Sequence, residues 1–396
     1  MRTSNPSLNS KTFERAAPGT GVMTIGGTVN KVGILLLLML VPASYMWNKV
    51  LTAWEPSDDG RLLVYAVSAA GSDWQDLHVR DVDRGVDLDD HLRWAKFVTI
   101  SWLGDSSGFY YTRFPDEGSY HPFVCVHRLG SQQYEDHTVF GPPDDPEIVY
   151  EVDQSSDRRF LAITAFKGAS ENSAVTIVER RPDDAPGRGS VHWSVSEFAH
   201  AWHFIDASGD DLLLRTNLDA PRGRIVAVRP SRALRCIVGE TQDSLVDAHL
   251  VGGRLAAVYL RNATSRVCVF EIDGGSVGDL PLPALGSVTE LRGEADGDEL
   301  FLRFASFCWP PSVLRALVTD LSVTAFDTGG THVDPRGYQT EQAWYSSKDG
   351  TRVPIWTARR SGSATAAAAG RRRCDGRRPT TSRRSTSTCE IGRAHV

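Results

Sequence analysis

PSDDGRLLVYAVSAAGSDWQDLHVRDVDRG, Pro56 to Gly85, decides the fold. A polar turn at Asp59-Gly60 feeds the run RLLVYAVS, rich in the β-branched and aromatic residues that a pleated sheet accommodates. The unit returns five times, with turns at Ser107-Gly108, Asp157-Arg158, Ser208-Gly209, Gly252-Gly253 and Asp296-Gly297. The second turn residues stand at 60, 108, 158, 209, 253 and 297, steps of 48, 50, 51, 44 and 44. A period of about 40–50 residues is that of a four-stranded propeller blade.

The runs after the turns are FYYTRF from Phe109, RFLAITAF from Arg159, DLLLRTN from Asp211, RLAAVYL from Arg254 and ELFLRFAS from Glu299. None contains proline, and none shows a helical period. Continuous apolar character fits inner strands buried on both faces by neighbouring blades. The chain is therefore expected to be all-β, a propeller of four-stranded blades over residues 51–358.

The whole chain has 396 residues, 41% hydrophobic and 23% charged, which suits a soluble globular protein with a sizeable core. A net charge of -6 argues against nucleic acid as the main partner. Cys125, Cys236, Cys268, Cys308, Cys374 and Cys389 are scattered without a CxxC pair, as buried thiols of a reducing, cytoplasmic compartment would be. The rival reading is export. Val32–Val41 (VGILLLLMLV) is too short to span a bilayer but resembles a signal core with cleavage near Ala43, and Asn262-Ala263-Thr264 fits a glycosylation acceptor.

Residues 1–50 match no blade. Residues 359–396 change character: the tail is Ala, Gly, Arg, Ser and Thr, too poor in large apolar residues to fold. It reads as an out-of-frame translation or assembly artefact rather than a functional basic tail.

Several segments resemble the prolyl oligopeptidase family, in the family's order. Pro56 to Gly85 is similar to a blade in which a G-S-D-W segment leads to an outer strand and a D-x-x-x-G turn. RWAKFVTISWLGDSSGFYYTRFP (Arg93–Pro115), HRLGSQQYEDHTVF (His127–Phe140) and TNLDAPRGRIVAV (Thr216–Val228) look like later blades. YQTEQAWYSSKDGTRVPIW (Tyr338–Trp356) resembles the exit toward the catalytic domain. The resemblance implies a serine endopeptidase acting on short peptides after proline, with no cofactor. It also implies a seven-bladed propeller packed on its own catalytic domain. Only about six blades are visible, so the ring is expected to be incomplete, with exposed edges. The catalytic Ser, Asp and His have no counterpart in this chain.

Phe97 matches a family position lining the cavity between propeller and catalytic domain, with an ordinary core phenylalanine as the alternative. Other cavity positions fall near Val149, Phe166 and Ala169, where the family's residue types are not kept. Gly104-Asp105-Ser106-Ser107-Gly108 has the G-x-S-x-G form, but strand-like runs flank it and no helix follows, so Ser106 reads as a hairpin residue. His121, Cys125 and His127 alternate on one expected half-exposed strand, and lacking a fourth ligand they read as no metal site. Trp54, Trp74, Trp94 and Trp102 read as wedge fillers between blades. A non-enzymatic propeller binding a protein or peptide partner is the rival function.

Overall fold

The computed structural model describes residues 50–69, 71–180, 189–230, 232–327 and 337–360. The expectations for the apolar run Val32–Val41 and for the Arg-rich tail beyond Arg360 lie outside these residues.

Six four-stranded antiparallel meanders follow one another. Blade 1 is β1 (Val50–Pro56), β2 (Leu62–Ser68), β3 (Gln75–Asp81) and β4 (Val86–Ala95). Blade 2 is β5 (Ile100–Trp102), β6 (Gly108–Arg113), β7 (Phe123–Arg128) and β8 (His137–Phe140). Blade 3 is β9 (Ile148–Gln154), β10 (Phe160–Lys167), β11 (Ser173–Glu179) and β12 (Ser190–Val195). Blade 4 is β13 (Trp202–Ser208), β14 (Asp211–Thr216), β15 (Arg224–Val228) and β16 (Arg235–Val238). Blade 5 is β17 (Ser244–Val251), β18 (Arg254–Arg261), β19 (Thr264–Glu271) and β20 (Ser276–Asp279). Blade 6 is β21 (Ser287–Gly293), β22 (Glu299–Ala305), β23 (Ser312–Leu317) and β24 (Ser322–Asp327), after which β25 (Tyr338–Ser346) and β26 (Arg352–Arg360) form a hairpin. The all-β propeller expectation holds.

The period-2 pattern of each inner strand explains the packing. On β6, Phe109 and Tyr111 face blade 1 while Tyr110 faces blade 3, and all three are fully buried. Five apolar clusters fill the five successive blade interfaces. Among the described residues none joins blade 6 to blade 1. Their contact is between the first strands of the two blades, where Arg292 on β21 pairs with Glu55 on β1 at 3.2 and 3.4 Å. Among the described residues nothing covers the outer faces: Trp54 on blade 1 is 55% exposed and Phe326 on blade 6 is 65% exposed. Among the described residues six blades are present, and blades 6 and 1 meet through the Arg292–Glu55 ion pair rather than through an apolar cluster.

One turn departs from the left-handed glycine that hairpin turns favour. Gly108 is not the turn's left-handed residue; Ser106 is, at φ 53°. Gly108 is required instead by crowding, since a Cβ there would stand 2.1 Å from the His127 carbonyl oxygen.

Candidate functional site

A meander has two ends. In every blade the turns between first and second and between third and fourth strands lie at one, and the second-to-third loops and inter-blade connections lie at the other. The chain leaves β24 at the connection end, and the final hairpin settles there. Gln342 Nε2 donates to the Asn262 carbonyl (2.7 Å), and the Trp356 and Phe307 rings meet at 6.0 Å.

Phe97 sits at the same end, between β4 and β5. It is 60% exposed, which rules out the core alternative, and its backbone is left-handed at φ 51°. Trp94, three residues earlier, is also left-handed at φ 65°. It occupies a bulge: Leu92 pairs with Leu77 and Ala95 with Gln75, so β4 spends one more residue than β3. A bulky residue at positive φ costs about 1–3 kcal/mol, and such strain gathers at functional sites. The ring of Trp74 packs edge-on against Trp94 (6.2 Å) and Phe114 (5.4 Å). Lys96 Nζ lies 5.3 Å from the Phe97 ring and 5.7 Å from Trp74, held by Asp73 at 3.2 Å.

Val149, Phe166 and Ala169 share this end. Phe166 pairs with Val149 across β9 and β10, its ring lies 5.8 Å from His203, and Ala169 is exposed in the following loop. The sequence reading did not single out His203, Arg215 or Asp247 from the next two blades. Burial, with Arg215 nearby, pushes the His203 pKa down to about 4, so this imidazole is neutral at pH 7. Burial also raises the Asp247 carboxyl, with Arg215 and His249 opposing.

The four tryptophans divide. Trp102 is a wedge filler, 2% exposed between blades 1 and 2, with Nε1 donating to the Glu55 carbonyl (2.9 Å). Trp74 and Trp94 belong to the aromatic group beside Phe97. Trp54 is not wedged, because its face of blade 1 points away from blade 2.

Ser106 lies in the β5–β6 turn, its N–H donating to the Leu103 carbonyl (2.8 Å). Asp105 Oδ1 accepts from Ser107, not from a histidine partner of Ser106. The turn leads from strand to strand, whereas a nucleophile elbow leads from strand to helix.

The structure parts the His121, Cys125 and His127 set. The His121 ring bonds to the Pro143 carbonyl (2.9 Å), and Cys125 is buried in the core between blades 1 and 2. The half-exposed strand expectation fails, for Val124 to His127 are all buried. Among the described residues, no group of three or more His, Cys, Asp or Glu is placed to hold a metal.

His127 has another role. Its Nε2 meets Asp90 Oδ1 (3.0 Å) on β4 of blade 1, and its Nδ1 meets Asp136 Oδ1 (2.7 Å) before β8. The His127 and Asp136 side chains are fully buried and that of Asp90 is 4% exposed. Tyr111 Oη donates to Asp136 Oδ2 (2.5 Å), and the Gly130 N–H donates to Asp90 Oδ1 (2.6 Å). Burial alone would lower the His127 pKa; the bonds to Asp136 and Asp90 outweigh it and raise the pKa to about 9. Burial would raise the Asp90 carboxyl, but His127 and Gly130 hold it low. The result is a buried imidazolium between two carboxylates, joining blades 1 and 2.

Six successive four-stranded sheets, with left-handed aromatics at the end where the chain exits, define a β-propeller domain. The chain matches the prolyl oligopeptidase N-terminal β-propeller domain over residues 48–325, and it belongs to that family. It is 29% identical over 332 residues to the dual function macrocyclase-peptidase POPB of Galerina marginata, covering 76% of this chain and 45% of that protein. It is 28% identical over 317 residues to the prolyl endopeptidase of Elizabethkingia meningoseptica, covering 76% and 44%. A solved structure from an analysis of two prolyl endopeptidases superposes with a TM-score of 0.71 at 34% identity, covering 80% of this chain and 46% of that one. Prolyl oligopeptidase B from Galerina marginata superposes with the same score at 26% identity. The chain spans less than half the length of these curated relatives, and the match falls on their propeller.

Proposed function

We propose that this chain is the gating part of a serine endopeptidase that hydrolyses short peptides after proline. In the complete enzyme a serine, activated by histidine and aspartate, attacks the carbonyl carbon of the prolyl residue. Those three residues belong to an α/β-hydrolase domain outside this sequence, and the chain alone is inactive. The propeller packs on that domain and excludes large folded substrates.

The observation that carries the reading is Phe97: an exposed apolar ring on a strained loop, at the end from which β25 and β26 leave the propeller. There it lies against the peptide chain, with the neutral His203 and the ring of Phe166 farther round the same opening. The cytoplasm is the proposed compartment.

The test is to sequence the genomic locus across the codons for Arg359 to Val396. A second frame running into a hydrolase domain, with a G-x-S-x-G elbow followed by Asp and His, supports the reading. Expression of that frame should then give cleavage of short proline peptides and none of folded proteins. An authentic tail and stop codon would leave a partner-binding propeller as the better account.

A further inference from the structure

The clamp around His127 and the strained loop at Phe97 are separate features in sequence, but one group of hydrogen bonds joins them. Gln133 lies in the 3-10 turn (Gln133–Glu135) between β7 and β8. Its side-chain amide treats Arg93 of β4 as a strand neighbour would: Nε2 donates to the Arg93 carbonyl (2.8 Å), and Oε1 accepts from the Arg93 N–H (3.1 Å). β4 is the outermost strand of blade 1, so no further strand of that blade supplies these bonds. Arg93 is the residue immediately before Trp94, where the backbone turns left-handed. Three residues earlier on the same strand, Asp90 accepts from His127. Gln133 also donates to Tyr111 Oη (3.3 Å), the hydroxyl bound to Asp136. Blade 2 therefore grips the last turn of β4 at two points that share one network. At the bulge itself, the Phe114 N–H donates to the Trp94 carbonyl (2.8 Å), a third point of attachment from the same blade.

We propose that the Asp90–His127–Asp136 clamp, acting with Gln133, is a positioning device that holds the segment Trp94 to Phe97, left-handed at its two end residues, and thereby fixes how Phe97 is presented at the connection end. What Phe97 touches rests on the reading given under Proposed function; the positioning does not. A strained bulge persists only where its surroundings over-determine it, and these bonds are the over-determination. His127 is a positioning residue with no contact to substrate. The groups facing it are Asp90 from β4, Asp136 ahead of β8, the Tyr111 hydroxyl from β6 by way of Asp136, and the Phe109 ring at 5.4 Å. Cys125, two residues earlier on its own strand, and Arg113 on β6 complete the surroundings. With Cys125 raised to about 11, His127 is the first of these to change charge above neutrality.

The test is hydrogen exchange by mass spectrometry on the full 396-residue chain, corrected for intrinsic rates, between pH 6.5 and 10. Gln133→Ala removes the grip on Arg93 and leaves the buried clamp in place. It should raise exchange at least tenfold over residues 94–99 and at the Phe114 amide, with 123–128 unchanged. Wild type should show the same local loosening as the pH rises through about 9, and His127→Gln should show it at every pH. Unchanged exchange over 94–99 in Gln133→Ala, or a wild-type profile parallel to that of His127→Gln, overturns the proposal. His127→Asn, should His127→Gln fail to fold, serves for the same comparison. In the complete enzyme, loosening that leaves KM for a short proline peptide unchanged supports the positioning and tells instead against Phe97 as a peptide contact.

Discussion

Loss of charge at His127 is expected to destabilise the propeller in a defined pH window. The folded pKa of about 9 lies above the ordinary histidine value of 6.5, so the proton binds more tightly in the folded chain. Its contribution is therefore complete below pH 6.5 and is lost as pH rises through 9. At about 1.4 kcal/mol per pH unit, the stabilisation is about 3 kcal/mol. That matches the roughly 3–5 kcal/mol seen when one partner of a buried ion pair is removed. The assay is urea unfolding of wild type and His127→Gln at pH 6.5, 8 and 9.5. The difference between the two should be about 3 kcal/mol at pH 6.5 and shrink toward pH 9.5. Cys125, raised to about 11, and Tyr111, raised further still by burial and Asp136, stay protonated in the folded chain across this range, so His127 is the group of the clamp that titrates there. A constant difference across the series would refute the reasoning.

Four further outcomes follow from the packing. Leu302→Ala, fully buried between blades 5 and 6, should cost about 2–5 kcal/mol in urea unfolding. Gly108→Ala should be far worse than Gly60→Ala: the first puts a Cβ 2.1 Å from the His127 carbonyl, whereas the second meets nothing within 4 Å and strains only a left-handed turn, costing about 1 kcal/mol. Trp54→Lys combined with Phe326→Lys should suppress concentration-dependent association in light scattering, because both rings lie on uncovered sheet faces. Phe97→Gly should leave stability within about 0.5 kcal/mol or raise it, by relieving a left-handed backbone, while raising KM for short peptides in the complete enzyme.

Much of the fold was legible because it is repeated. The turns recur at blade spacing, and the runs after them become β2, β6, β10, β14, β18 and β22. Errors arose where the deciding partner is distant or has no sequence signature. His127 looked half-exposed on its own strand; its partner Asp90 lies 37 residues away in another blade. The signal in the sequence is the His127 and Asp136 pair within HRLGSQQYED, a histidine and a carboxylate nine residues apart. Trp54 departs from the wedge-filler expectation because tryptophan type does not tell which face meets a neighbour. The strain at Trp94 and Phe97 was not legible, since no residue pattern marks a bulky side chain at positive φ. Phe97 itself was found through the family resemblance, not through its chemistry.

The central claim is that this chain supplies the gate and not the nucleophile. The most direct measurement is to incubate the purified 396-residue chain with a short chromogenic peptide containing an internal proline, beside a fluorophosphonate label. The account predicts no hydrolysis above buffer and no labelled serine. Hydrolysis that Ser106→Ala abolishes, with label on Ser106, would contradict it.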